Sequence, residues 1–211
     1  QESAIVEYES SKRAFYADFG VHYEFNTTGS QKWAAGLVFA PSLQVNHENN
    51  LTYSNSSTSE GVDKSYHSRT QYLPMHIGTG ISMATERWVA TADYNYLDWS
   101  RNTSSYTSMK YENQHKLNIG GTYITNPRLP RSTELMGGIG LSNSYINLRG
   151  GKMQYLEVSA GASFPIRYSY LSLGATWRKQ INSRSSLMQE SRFSVNLNIT
   201  FGERISRSKL K

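Results

Sequence analysis

In RFSVNLNITFGER, residues 192–204, Phe193, Val195, Leu197, Ile199 and Phe201 alternate with Ser194, Asn196, Asn198 and Thr200. Period two is that of a β-strand, whose successive side chains point to opposite faces. The pattern recurs along the chain. AFYADFGVHYEF sets Phe15, Ala17, Phe19, Val21, Tyr23 and Phe25 against Tyr16, Asp18, Gly20, His22 and Glu24. WAAGLVFAPSLQV carries Trp33, Ala35, Leu37 and Phe39 on one side, and MHIGTGISM sets Met75, Ile77, Ile81 and Met83 against His76, Gly78, Gly80 and Ser82. WVATADYNYLDW, KLNIGGTYI, ELMGGIGL, YLEVSAGASF and YLSLGATWRK continue the series, with Asp93, Asn95, Lys116, Glu157 and Arg178 on the polar side. This periodicity predicts an all-β chain of about nine or ten strands, with SAIVEY as a candidate for the tenth.

Short connections are predicted near 26–31, 84–87, 126–131 and 165–167, and longer polar ones at 46–70, 100–112, 143–152 and 181–190. The two kinds alternate, as the tight periplasmic turns and long outside loops of outer-membrane barrels do. Segment 46–70, rich in Asn, Ser and Thr, reads as an exposed loop, or as a hairpin extending its strands beyond the membrane, rather than as a separate domain.

Alternation alone does not say which solvent Phe193 meets. A sandwich seals its apolar face against a second sheet, while a membrane barrel turns that face to lipid and the polar one to a wet lumen. Two features favour lipid. Trp33, Trp88, Trp99, Tyr123, Trp177 and Phe201 fall near strand ends, where an interfacial girdle sits. Gly78, Gly80, Gly120, Gly138, Gly140, Gly161 and Gly174 all lie on the polar face, leaving a small, wet inside and a large, apolar outside. The predicted fold is an antiparallel transmembrane β-barrel over residues 1–202, followed by a basic periplasmic tail at 203–211.

Composition narrows the remainder. Mean hydropathy is −0.58 despite 15 Tyr, 4 Trp and 7 Phe, and no run reaches the ~18 apolar residues of a membrane helix. The absence of cysteine excludes disulfides and thiolate sites. The net charge of +6 is scattered, without a nucleic-acid-binding module. No energy-coupling or cofactor motif appears, and His22, His47, His67, His76 and His115 show no metal-ligand spacing.

From residue 73 onward, the order of motifs resembles the FadL-type outer-membrane transport family. The matching pieces are LPMHIGTGIS leading into RWVATADYNYLDWS, then KLNIGGTYITNPRL, ELMGGIGLSNSYI, YLEVSAGASFPIRYSYLSLGATWRK and FSVNLNITF; residues 13–45 are compatible. The resemblance implies the C-terminal portion of a fourteen-stranded barrel in a Gram-negative outer membrane, although nothing here matches that family's N-terminal hatch. It implies passive passage of hydrophobic small molecules such as long-chain fatty acids. A second expectation is a FadL-like barrel acting as scaffold or partner in an envelope secretion or surface-display complex. The expected partners are a hydrophobic ligand, outer-membrane lipid and lipopolysaccharide, the barrel-insertion machinery, for which Phe201 would be the assembly signal, and an envelope protein.

His22, His76, Asp93, Asn95, Lys116, Glu157 and Arg178 are the candidate lumen-lining residues. Two readings stand: ion pairs bracing a wet interior, or a polar path orienting a ligand carboxylate near Lys116 or Arg178. An outer-membrane lipid hydrolase is the least favoured expectation. His67 and Ser68, as strand neighbours, point to opposite faces and cannot pair directly.

Overall fold

The computed structural model describes residues 4–26, 30–55, 58–67, 70–104, 106–148, 151–166, 169–182 and 189–200. These residues form antiparallel sheets and no helix. Nine strands make the main sheet, in the order β15 (Ser191–Thr200), β14 (Ser169–Asn182), β13 (Gln154–Ile166), β11 (Glu134–Asn143), β10 (Gln114–Ile124), β8 (Trp88–Asp98), β7 (Met75–Ala84), β3 (Lys32–Ala40) and β2 (Phe19–Asn26). Chain order and sheet order agree throughout, as in an up-and-down meander. At one end of the sheet, which we call the turn end, the strands are joined by connections of two to nine residues; at the other, the loop end, by connections of eight residues or more.

Of the two readings of segment 46–70, the hairpin is the one formed, by pairing of Gln44–Asn55 with Thr58–His67, as part of a second sheet beyond the loop end. It is made by β1 (Ala4–Ala14), β4 (Gln44–Asn55), β5 (Thr58–His67) and β6 (Gln71–Tyr72), with β4 pairing the other three. The described part of SAIVEY, from Ala4, belongs here, in β1, and is not a tenth strand of the main sheet. The predicted strand over AFYADFGVHYEF is likewise divided, since 15–18 lie between β1 and β2.

The division has a physical cause. Three adjacent chain segments break at the same level, at 15–18, 41–43 and 73–74. Pro41 and Pro74 stand in two of these breaks, and proline has no N–H to give to a ladder. The Leu73 N–H donates to the Leu43 carbonyl at 2.8 Å, and the Ser42 hydroxyl donates to the Leu73 carbonyl at 2.9 Å, so the joint is tied across.

A third, two-stranded sheet joins β9 (Met109–Tyr111) to β12 (Ile146–Leu148), from two different long connections. Trp99, Tyr111 and Tyr145 stack around it, with Trp99 and Tyr145 centroids 4.6 Å apart.

No sandwich core exists among the described residues. The buried apolar side chains are Ala40 and Tyr155, and no large side chain is fully enclosed. One face of the main sheet carries exposed apolar side chains on every strand, among them Val21, Leu37, Ile81, Tyr94, Leu117, Ile139, Val158, Leu173 and Val195. Phe193 is 68% exposed, Val21 70% and Ile139 57%. Exposed apolar side chains spread over all nine strands are unlike the surface of a soluble monomer, whose contiguous apolar patches are small.

Candidate functional site

The opposite face is polar, and the register of the eight pairings decides what meets what. One line of mutually paired residues runs across all nine strands: His22, Gly36, Gly80, Asp93, Asn118, Gly140, Glu157, Arg178 and Arg192. The next line toward the loop end includes Gly78, Asn95, Lys116, Ser142 and Tyr155. His76 lies one step further, and its Nε2 is 2.8 Å from Asn95 Oδ1. The sheet therefore places the seven candidate residues on one face within three adjacent lines. Phe201 lies outside the described residues.

Glycines are what make this face concave. A Cβ at Gly80 would run into Asp93 Oδ1, and one at Gly140 would lie 2.8 Å from Asn118 Oδ1. Asp93 and Asn118 thus lean over glycines on neighbouring strands. Two adjoining grooves result, of about 340 Å³ around His22, His76, Asp93 and Asn95, and about 540 Å³ around Gly120, Glu157, Ser159 and Asn196. Asn118 borders both.

The charges line these grooves without neutralising one another. Among the described residues, the ion pairs are His22–Glu24 at 3.4 Å, Lys152–Glu112 at 3.8 Å and Arg192–Glu190 at 3.1 Å. Of the residues expected to brace the interior, His22 and Glu24 approach one another, whereas Asp93, Lys116, Glu157 and Arg178 do not pair with each other. Arg178 instead sits over the Tyr155 ring, its Cζ 4.2 Å from the centroid, with Nε buried and unpartnered. At ~4.8 Å between strands, Asp93 stands three strands from both His22 and Glu157. The groups are spread along a wall rather than gathered about one reacting atom.

Three contributors went unmarked in the sequence: Asn118, Tyr155 and Arg192. Strand parity carried a signal for Tyr155, which is two residues before Glu157 and so on its face. A larger hollow, about 770 Å³, which no sequence pattern marked, lies at the loop end, bordered by Tyr111, Glu112, His115, Lys152 and Met153. Its walls come from several long connections and from the loop-end residues of the strands they join, and nothing local in the sequence brings these together. His67 side-chain placement and Ser68 lie outside the described residues.

The aromatic residues divide between the two ends. Trp88 pairs Tyr123 at the turn end, with centroids 4.6 Å apart, and Trp33 lies at the same end. Trp177 and Trp99 lie toward the loop end.

Comparison with protein families matches the BamG model over residues 1–208. No curated protein and no solved structure matches the chain. The match overturns the FadL resemblance, along with the fatty-acid transport and the hydrophobic ligand that rested on it. Gly-aromatic strands and period-two alternation follow from a sheet with one apolar and one wet face, so they recur across unrelated barrels. The match also takes in residues 1–72, most of which the resemblance left unexplained. BamG points to the Gram-negative outer-membrane envelope and to the barrel-assembly machinery as a partner. The chain belongs to the BamG family.

Proposed function

We propose that this protein serves outer-membrane protein assembly, as a non-enzymatic, membrane-embedded component of the barrel-assembly machinery. The main sheet forms wall of a transmembrane barrel, with its apolar face in lipid and its glycine-lined polar face on water. Family membership carries the assembly role. The exposed apolar surface supports the membrane placement, because water would drive such a surface together whereas lipid solvates it. The second sheet and the β9–β12 unit, both beyond the loop end, would then stand outside the hydrocarbon and offer docking surface.

Affinity purification of the tagged protein from outer membranes in mild detergent tests this reading, paired with its depletion. Enrichment of core barrel-assembly components is expected, and depletion should lower the amounts of folded outer-membrane barrels. Normal barrel levels after depletion, with no assembly component enriched, would remove the proposal.

A further inference from the structure

The main sheet has two free edges, β2 and β15. Every pairing between them is antiparallel, and eight such steps separate them, so both edge strands run in the same direction. The two edges do not touch. Among the described residues, the outer backbone groups of Phe19–Asn26 and Ser191–Thr200 have no ladder partner. In water those groups would bond to solvent. In hydrocarbon they must be met by another strand, because lipid offers no donors or acceptors.

Strand parity limits what can meet them. Closing β2 directly on β15 requires a parallel seam, whereas bacterial outer-membrane barrels are antiparallel with even strand numbers. A second copy does not relieve this: inserted in the same orientation, its β2 also runs parallel to β15, and β15 against β15 would need one copy upside down. An odd number of added strands makes both seams antiparallel.

We infer that β2 and β15 pair with an odd number of membrane strands from outside residues 1–211, contributed by a different outer-membrane polypeptide and completing a shared barrel. This rests on the membrane reading above, and the family's link to the barrel-assembly machinery favours a partner from that assembly. Strands from elsewhere in the same protein would satisfy the parity equally and are the rival outcome of the test. The strands accepted must carry apolar residues outward, level with Val21 and Val195, and polar ones inward, level with His22 and Asn196.

The test places the photocrosslinker p-benzoyl-phenylalanine at Ser194 or Asn198 of the full chain and irradiates native outer membranes. Linked peptides are then mapped by mass spectrometry. Both probes should shift the protein by the mass of one partner and attach within one segment of it, with the later probe linked to the earlier partner residue. A probe at Asn118, whose strand is paired on both sides, should give no adduct. Links from β15 to β2, to a second copy, or elsewhere within one polypeptide overturn the inference, as does the lack of any adduct. A separate readout guards the membrane reading. In the cysteine-free chain, Val195→Cys should resist a membrane-impermeant maleimide. Labelling there would sink the membrane placement, while protection without a partner adduct would sink the shared barrel alone.

Discussion

Gly161 shows how little room the sheet leaves at particular positions. A Cβ there would lie 2.9 Å from the Leu173 carbonyl oxygen, which is backbone and cannot swing aside. Gly174, on the paired strand, has nothing nearer than 3.8 Å. Gly161→Ala should therefore destabilise the β13–β14 pairing by about 1–3 kcal/mol, while Gly174→Ala stays near the parent; urea unfolding in detergent, followed by heat-modifiable gel mobility, compares them. Arg178 offers a second check. Its guanidinium packs on Tyr155 rather than reaching Glu157. Arg178→Met should cost about 0.5–2 kcal/mol, whereas Glu157→Gln should leave the unfolding midpoint unchanged. Equal losses from both variants would mean that a Glu157–Arg178 attraction matters after all.

β9 and β12 are three residues each, too short to persist as an isolated pair. Their support comes from the Trp99–Tyr145–Tyr111 stack and from Asn147, whose Nδ2 donates to Glu112 Oε1 at 2.6 Å. Tyr145→Ala removes the central contact, worth about 0.5–1.5 kcal/mol beyond its area. The connections at 100–112 and 143–152 should then become sensitive to limited proteolysis, while the nine-stranded sheet keeps its resistance. Cleavage no faster than in the parent would show that the stack does not hold this unit. The β4–β5 hairpin obeys a different logic. Its polar sequence left loop and hairpin both open, since a strand with few apolar residues shows weak alternation, and its ladder rather than side-chain burial marks it as sheet.

Across the full sheet, outward and inward positions should respond oppositely to charge. Leu197 and Asn196 are sequence neighbours on opposite faces of β15. If the apolar face meets lipid, Leu197→Arg should cost about 2–4 kcal/mol near the bilayer midplane. Asn196→Arg, facing the wet side, should be tolerated. Folded protein in outer-membrane fractions, measured by heat-modifiable mobility, reads the difference. Equal accumulation of the two variants would argue that both faces meet water.

The sequence by itself determined the two-faced strands, the alternation of short and long connections, and the polar face that gathers His22, Asp93, Glu157 and Arg178. All of these follow from the period-two geometry of an extended chain, a local property that side-chain polarity records directly. Family identity was not legible in the motifs, because any sheet with one greasy and one damp face selects the same residue types. Tertiary structure decided the rest. It aligned those four residues in one register line, stacked Arg178 on Tyr155, paired β9 with β12, and decided between loop and hairpin by pairing β4 with β5. It also left β2 and β15 as free edges running the same way. Register and edge pairing depend on hydrogen bonds between segments far apart in the chain, and no short window of sequence contains both partners.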